Sequence, residues 1–284
     1  MTYWILQILN GLSFGMLLWI LAAGLSMIFG LMRIVNLAHG SFYLVGAYLG
    51  LTVMNATGSF VLAMITGGLV MALLGAVIHR WLLRRFQEEH LSQVLITFGL
   101  LFLLGDISLW IWGGTPQAIS EPSYLSGTLK LGSFVYPEYR LAIIVFGLII
   151  AALFWVLQKH TRFGTMIRAS VDDAETANSV GINVPLLMTQ VFALGAFLAG
   201  VNGVLGGAFL GVYPGADFEV LLLAFIVVIV GGLGSLKGSF ISAILIGLLN
   251  NFGKALFPEL SMFVLFAPMA VILAVKPTGL FGRS

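Results

Sequence analysis

Apolar residues run along this chain in nine long blocks, at residues 4–31, 38–55, 60–79, 92–113, 141–158, 185–211, 218–234, 238–256 and 261–275. Crossing a bilayer takes about 20 residues of helix, so each block reads as a candidate transmembrane helix. The first block exceeds that length, which predicts a helix that is tilted, kinked or partly outside the hydrocarbon. The second is short and rich in glycine, as a broken or re-entrant element would be. The seventh and eighth are parted only by Leu236, Lys237 and a few glycines. The pattern therefore predicts about eight to ten crossings.

One polar segment breaks the pattern usefully. Between Lys159 and Val184, Ile167, Val171, Ala174, Ala177 and Val180 recur at three- and four-residue steps, the period of one helix face. The other face carries Arg168, Asp172, Asp173 and Glu175. Gly181 suits the stop of that helix and Pro185 the start of the next. A helix that merely rests on headgroups favours bulky apolar residues and a cationic polar face. Small side chains and three acids instead suit a docking surface for a soluble partner.

Composition turns this pattern into a class. Only 8% of the 284 residues are charged, 13 basic and 11 acidic, and 60% are hydrophobic. A soluble domain is about a quarter charged. The mean hydropathy of +1.09 excludes an ordinary soluble enzyme, a nucleic-acid binder and a disordered regulator. Zero cysteines exclude a disulfide framework, a thiolate metal site and a Cys nucleophile. The expected fold class is an all-α polytopic membrane protein, a single transmembrane domain over residues 1–284 with its polar loop at about 159–184.

Basic residues set the expected orientation. With the N-terminus outside, the inner side holds Arg33, Arg80, Arg84, Arg85, Lys159, Arg162, Arg168, Lys237, Lys276 and Arg283; the outer side holds Lys130, Arg140 and Lys254. That asymmetry predicts N-terminus out and C-terminus in. The first block lacks a basic leader and is too long for a signal peptide's apolar core, so it reads as a mature span.

Several motifs imitate chemistry. Gly11-Leu12-Ser13-Phe14-Gly15 matches a nucleophile elbow, but it lies in an apolar helix, where Gly11 and Gly15 make a small packing face. Gly231-Gly232-Leu233-Gly234-Ser235-Leu236-Lys237-Gly238-Ser239 resembles a phosphate loop, yet Leu236 precedes the lysine and Gly238 follows it, which a P-loop does not allow. The four histidines show no metal-ligand spacing, and no metal site is expected. Asn55-Ala56-Thr57 is a sequon of the kind that occurs by chance.

Other groups survive as candidates. Gly200, Gly203, Gly207 and Gly211 make a smooth ridge for close helix packing in lipid. Polar groups at membrane depth are few, and Asn36, His39, Ser41, Tyr43, Asp106 and Asn202 are the candidate pathway residues. Arg33 to Tyr43 is the densest such stretch; irregular backbone there is tolerated only beside protein or a wet cavity. Asp106 is the only acid expected within a span, where an ionised carboxylate costs about 2.5–3.5 kcal/mol at the bilayer centre.

Four stretches together resemble the permease subunits of branched-chain amino-acid ABC importers, of the LivH type. They are Gly30-Leu-Met-Arg-Ile-Val-Asn-Leu-Ala-His-Gly-Ser-Phe42, Arg168-Ala-Ser-Val-Asp-Asp-Ala-Glu-Thr-Ala-Asn-Ser-Val-Gly-Ile-Asn-Val184, Gly195-Ala-Phe-Leu-Ala-Gly200 and Gly231-Gly-Leu-Gly-Ser-Leu-Lys-Gly-Ser-Phe240. The resemblance implies a non-catalytic subunit of the bacterial or archaeal inner (plasma) membrane, carrying branched-chain or related small amino acids. It implies a second, LivM-like permease, two ATP-hydrolysing ABC subunits that use ATP and Mg, and a periplasmic or surface binding protein. This chain itself would bind no cofactor and no nucleic acid, and would otherwise touch only membrane lipid. Residues 163–181 would form the coupling element, with Arg168, Asp172, Asp173, Glu175, Ala177 and Gly181 as its functional positions. Related permeases carry urea, short amides or aromatic acids. The competing reading is an ion-coupled secondary transporter or channel.

Overall fold

The computed structural model describes residues 2–87, 89–131 and 134–282. Glu88 and Arg283, counted above among the charges, lie outside the described residues. Each of the nine apolar blocks forms a helix: α1 (Thr2–Met32), α2 (His39–Thr57), α3 (Phe60–Trp81), α4 (His90–Trp112), α5 (Glu138–His160), and, beyond two short helices α6 (Arg162–Asp172) and α7 (Ala174–Ser179), α8 (Val184–Phe209), α9 (Ala216–Gly231), α10 (Leu236–Leu256) and α11 (Ser261–Val275). Six of them, α1, α3, α4, α5, α8 and α10, are long and apolar enough to cross a membrane. The 16 residues of α9 and 15 of α11 rise only about 24 and 22 Å against a hydrocarbon core of about 30 Å. Both α2 and α10 are unbroken helices. The chain is a multi-pass α-helical membrane protein.

A long apolar helix has no wet face, so the remaining question is which part meets protein and which meets lipid. The longest, α1, is central: Met16 to Ala23 are all buried, and it packs on α5, α8, α9 and α10. Around it, α8 packs on both α2 and α3. By contrast α3, α4 and α5 expose most of their apolar length. In lipid, burying apolar surface gains little, so close packing must come from shape. Glycine supplies it. A Cβ at Gly46 would lie 2.5 Å from the Gly200 Cα, and one at Gly200 would overlap the Gly67 carbonyl, so α2, α3 and α8 touch backbone to backbone. Gly11 and Gly15 do the same for α1 against α10, meeting Leu248 and Ala243. Gly203 faces the Tyr43 carbonyl and Gly207 faces Ile119 and Val212. Gly211 departs from the expected ridge: α8 stops at Phe209, and Gly211, at φ +89°, belongs to the turn.

The glycine-rich stretch at 231–239 is a tight connection, not a cradle. Gly232 and Gly234 adopt φ +100° and +79°, and Ser235 caps α10 by accepting the Gly238 N–H at 3.1 Å. Gly231 and Gly238 pack backbone on backbone. The C-terminal residues close over them, with Leu280 and Phe281 amides donating to the Val230 and Gly231 carbonyls.

At the opposite end, an antiparallel hairpin of β1 (Thr128–Leu131) and β2 (Phe134–Pro137) interrupts the all-helical pattern. Its Tyr136 hydroxyl lies 3.1 Å from the Ser13 Oγ. Arg140 donates to the Asn10 Oδ1 at 2.6 Å and stands over the Phe209 ring.

Candidate functional site

The densest polar stretch begins where α1 ends. Arg33 takes φ +54° while its amide still donates to the Phe29 carbonyl, which halts the helix. Residues 34–38 then run without regular structure, with Ile34, Asn36 and Ala38 buried. Their surroundings place them deep in the bundle. The Val35 carbonyl accepts the Thr97 hydroxyl at 3.3 Å, and the His39 Nε2 lies 3.1 Å from the carbonyl of Leu21. Ser41 donates to the carbonyl of Leu101, midway along α4, at 3.0 Å. Non-helical backbone at this depth is stable only because protein covers it.

Here the start of α2 meets the start of α9. A Cβ at Gly40 would overlap the Asp217 carbonyl, and the Asp217 Oδ2 lies 3.4 Å from the Ser41 Oγ, an alternative acceptor to the Leu101 carbonyl for its one proton. Both helices bring the positive end of a helix dipole to one place. The residue before α2 is Ala38, which offers no side-chain cap. A carboxylate at the first turn of α9 is therefore well placed electrostatically.

The acid at this depth is Asp217, not Asp106. Asp217 is 7% exposed, whereas Asp106 points away from the bundle. Its neighbour Gly105 faces inward, where a Cβ would meet the Asp217 Oδ2 at 3.3 Å. One signal for Asp217 was available in the chain: an acid directly before an apolar run, two residues after Gly215. Its pairing with Ser41 was not, since 176 residues separate them.

The remaining pathway candidates are sealed in. Asn36 is fully buried, and neither atom of its amide has a partner among the described residues. Such an orphan costs about 1–3 kcal/mol, so it opposes stability where it stands. Tyr43 and Asn202 line a cavity of about 10 Å³ with Phe14, Leu17, Gly206 and Val220. Among the described residues, the Tyr43 hydroxyl and Asn202 Oδ1 both lack partners. That space admits about one water, far below the roughly 300–1,000 Å³ of a small-molecule site. In this conformation these residues surround a closed seam.

The polar loop forms two helices where one was expected. Asp173 breaks it: its carboxylate accepts the Glu175 and Thr176 amides, both at 3.0 Å, and caps α7. The Thr176 hydroxyl also donates to it, and these bonds hold the Asp173 carboxyl below the ordinary carboxylate range. The turn rotates α7 relative to α6, so the expected single apolar face does not form. Ile167 and Ala177 are buried, but Ala174 and Val180 are exposed. Ala177 is thus a packing residue, and Gly181, at φ +96°, is the turn that frees the chain toward α8. Arg168 folds back to donate to the Gln158 carbonyl at the end of α5. Asp172, Asp173 and Glu175 remain on the surface.

This pair is held tightly between α5 and α8. A Cβ at Gly164 would overlap the Leu157 carbonyl, and the Thr161 Oγ1 caps α6 by accepting the Gly164 amide. Asn183 then caps α8 by accepting the Leu186 amide at 3.0 Å. Among the described residues, no group of three or more His, Cys, Asp or Glu could hold a metal ion.

Comparison with known proteins agrees with this architecture. The family of the branched-chain amino acid transport system / permease component matches residues 7–273. The high-affinity branched-chain amino acid transport system permease protein LivH of Escherichia coli is 28% identical over 303 residues, spanning 99% of this chain and 96% of that protein. BraD of Pseudomonas aeruginosa, a permease protein of the same kind of system, is 27% identical over 300 residues, with the same coverage. Among solved structures, PsaBC from Streptococcus pneumoniae in complex with Fab covers 94% of this chain and 89% of that one, with a TM-score of 0.50 at 15% identity. That last likeness is one of fold alone.

Proposed function

This chain belongs to the permease-component family of branched-chain amino acid transport systems, a membrane transport family, and on that premise we propose that it is one transmembrane subunit of an ATP-driven importer. It passes branched-chain or related small amino acids, delivered from outside by a binding protein, across the inner membrane. A second homologous permease completes the path, and two ABC subunits hydrolyse ATP with Mg. This subunit contributes no catalytic step and binds no cofactor. The α6–α7 end faces the cytoplasm, which puts the N-terminus outside and the C-terminus in.

The observation that carries this reading is the bracing of α6 and α7 between α5 and α8. A soluble partner pushing on the acidic surface of α7 moves α8 with it, because Ala177 is buried and the Asn183 cap ties the loop to the helix. The glycines of α8 then transmit the shift to α2 and α3 through backbone contact, where no side chain can absorb it. The first two turns of α2 carry His39, Ser41 and Tyr43, so the seam between α2, α8 and α9 opens or closes in step. A closed seam within one chain also suits a path formed between two subunits. The test is ATP hydrolysis and uptake in liposomes containing both permeases and both ATPases, with loaded and empty binding protein. Uptake by this chain without the ATPases would refute it.

Urea, short amides or aromatic acids are the alternative cargo within the same family, decided by ligand binding to the delivering protein. One observation favours a second class of mechanism: the buried Asp217 beside Ser41 is where an ion-coupled carrier would bind its ion. Uptake that follows a proton or sodium gradient, and is lost in Asp217→Asn, would establish that mechanism instead.

A further inference from the structure

Most of the basic residues at the α6–α7 end stand singly, but three do not. Arg80, Arg84 and Arg85 line one open cleft with Trp81, about 390 Å³ in volume. The cleft is built. A short 3₁₀ turn at Leu83–Phe86 follows α3, and Leu83 is fully buried at its start. Gln93, on α4, donates to the Leu83 carbonyl at 3.3 Å and fixes that turn. Anchoring Leu83 holds Arg84 and Arg85 beside Arg80 on the surface. Among the described residues, none of the three guanidinium groups makes a hydrogen bond or an ion pair; the nearby Glu89 accepts the Ser92 hydroxyl instead.

What leads into this cleft is equally specific. Ile65, Leu69, Leu73, Val77 and Trp81 are all exposed, and at four-residue steps they form one ridge that winds gradually around α3. The opposite side of α3, with Gly67, Met71, Gly75 and Ile78, is buried against α2 and α8. From Leu73 to Trp81 this ridge rises about 12 Å, within one leaflet of a hydrocarbon core about 30 Å thick. An apolar ridge that ends in an amphipathic tryptophan and then in cations matches an acyl chain followed by its headgroup.

We propose that the Arg80–Trp81–Arg84–Arg85 cleft binds the headgroup of an anionic phospholipid whose acyl chain lies along the Leu73–Val77–Trp81 part of that ridge on α3. The guanidinium groups donate paired N–H hydrogen bonds to phosphate oxygens, a geometry lysine does not reproduce. Trp81 sits at headgroup level. The site is independent of the cargo and of the energy source; it requires only that α3 cross the membrane.

The experiment uses the full chain in detergent micelles, titrated with phosphatidylglycerol or phosphatidylcholine of identical acyl chains, and read by native mass spectrometry and thermal unfolding. Phosphatidylglycerol should bind and protect; phosphatidylcholine should do so far less. Each arginine contributes about fivefold in affinity near an anionic surface, so Arg80→Gln/Arg84→Gln/Arg85→Gln should weaken phosphatidylglycerol on the order of 100-fold. Phosphatidylcholine binding should be unchanged. Should the triple variant fold poorly, wild-type protein still decides the matter: raising salt must release phosphatidylglycerol selectively. Equal binding of the two lipids, or salt-insensitive binding, would overturn the proposal. So would equal protection by inorganic phosphate, which would mark a free-anion site. A triple variant that keeps the lipid but loses the ATPase subunits would assign the cleft to protein docking and overturn it too.

Discussion

Replacing Gly46 by alanine tests the backbone-on-backbone packing that holds α2 to α8. The new Cβ would stand 2.5 Å from the Gly200 Cα and 2.8 Å from its carbonyl oxygen, whereas ordinary contact begins at 3.4 Å. Both neighbours are backbone atoms, so no rotamer change relieves the overlap. The helices must part locally by about 0.9 Å, and a gap of that size forfeits a quarter to a half of each dispersion contact across it. With some 40 atom pairs at roughly 0.15 kcal/mol each, the loss is about 1.5–3 kcal/mol, the range known for overpacked cores. Alanine's better helix propensity returns about 0.5–1 kcal/mol. Gly99, on the exposed side of α4, is the control, because a Cβ there meets nothing within 4 Å. Gly99→Ala collects the same propensity gain without the overlap. The two variants should therefore differ by about 1.5–3 kcal/mol, with Gly46→Ala less stable than wild type and Gly99→Ala more stable. Equilibrium unfolding in mixed micelles, followed by tryptophan fluorescence, measures both. Stabilities for the pair within about 0.5 kcal/mol of each other would refute the reasoning.

The other predictions concern the site and the loop. Asn36→Leu removes two orphaned buried polar atoms and should raise stability by about 1–3 kcal/mol while abolishing uptake in liposomes; retained uptake would reduce Asn36 to a defect of packing. Asp173→Ala should speed amide exchange in α7 roughly fivefold without unfolding α8, as measured by hydrogen exchange of residues 174–179. The depressed Asp173 carboxyl contributes its full stabilisation above the ordinary aspartate value of about 3.9 and loses it only as pH falls toward the folded value, so α7 exchange corrected for intrinsic rates should be flat from pH 5 to 8. Glu175→Lys reverses the surface charge of α7 without touching its cap, and should reduce co-purification of the ATPase subunits while leaving thermal stability within about 0.5 kcal/mol of wild type.

Most of the architecture was legible in the chain because the solvent is lipid. A block of apolar residues in such a medium has one stable conformation, the helix, since every backbone group must be satisfied locally. The nine blocks, the helix-stopping role of Gly181 and the failure of the false phosphate loop all follow from local rules. So does the packing face at Gly11 and Gly15. The hairpin before α5 was not visible, because four-residue strands in a polar connection carry no long periodic signal.

Sequence alone determined the class of this protein, its helices and the residues from which a site could be made, because hydrophobicity and backbone satisfaction act within a segment. Only the tertiary structure decided which of those residues meet. Asp217 became the buried acid and Asp106 an outward one because the starts of α2 and α9 converge against the middle of α4, a contact between residues 176 apart. The polar loop became two helices because Asp173 caps the second, and Ala177 turned inward while Val180 turned out. Burial and pairing are properties of neighbours, and neighbours from distant parts of a chain are chosen by packing.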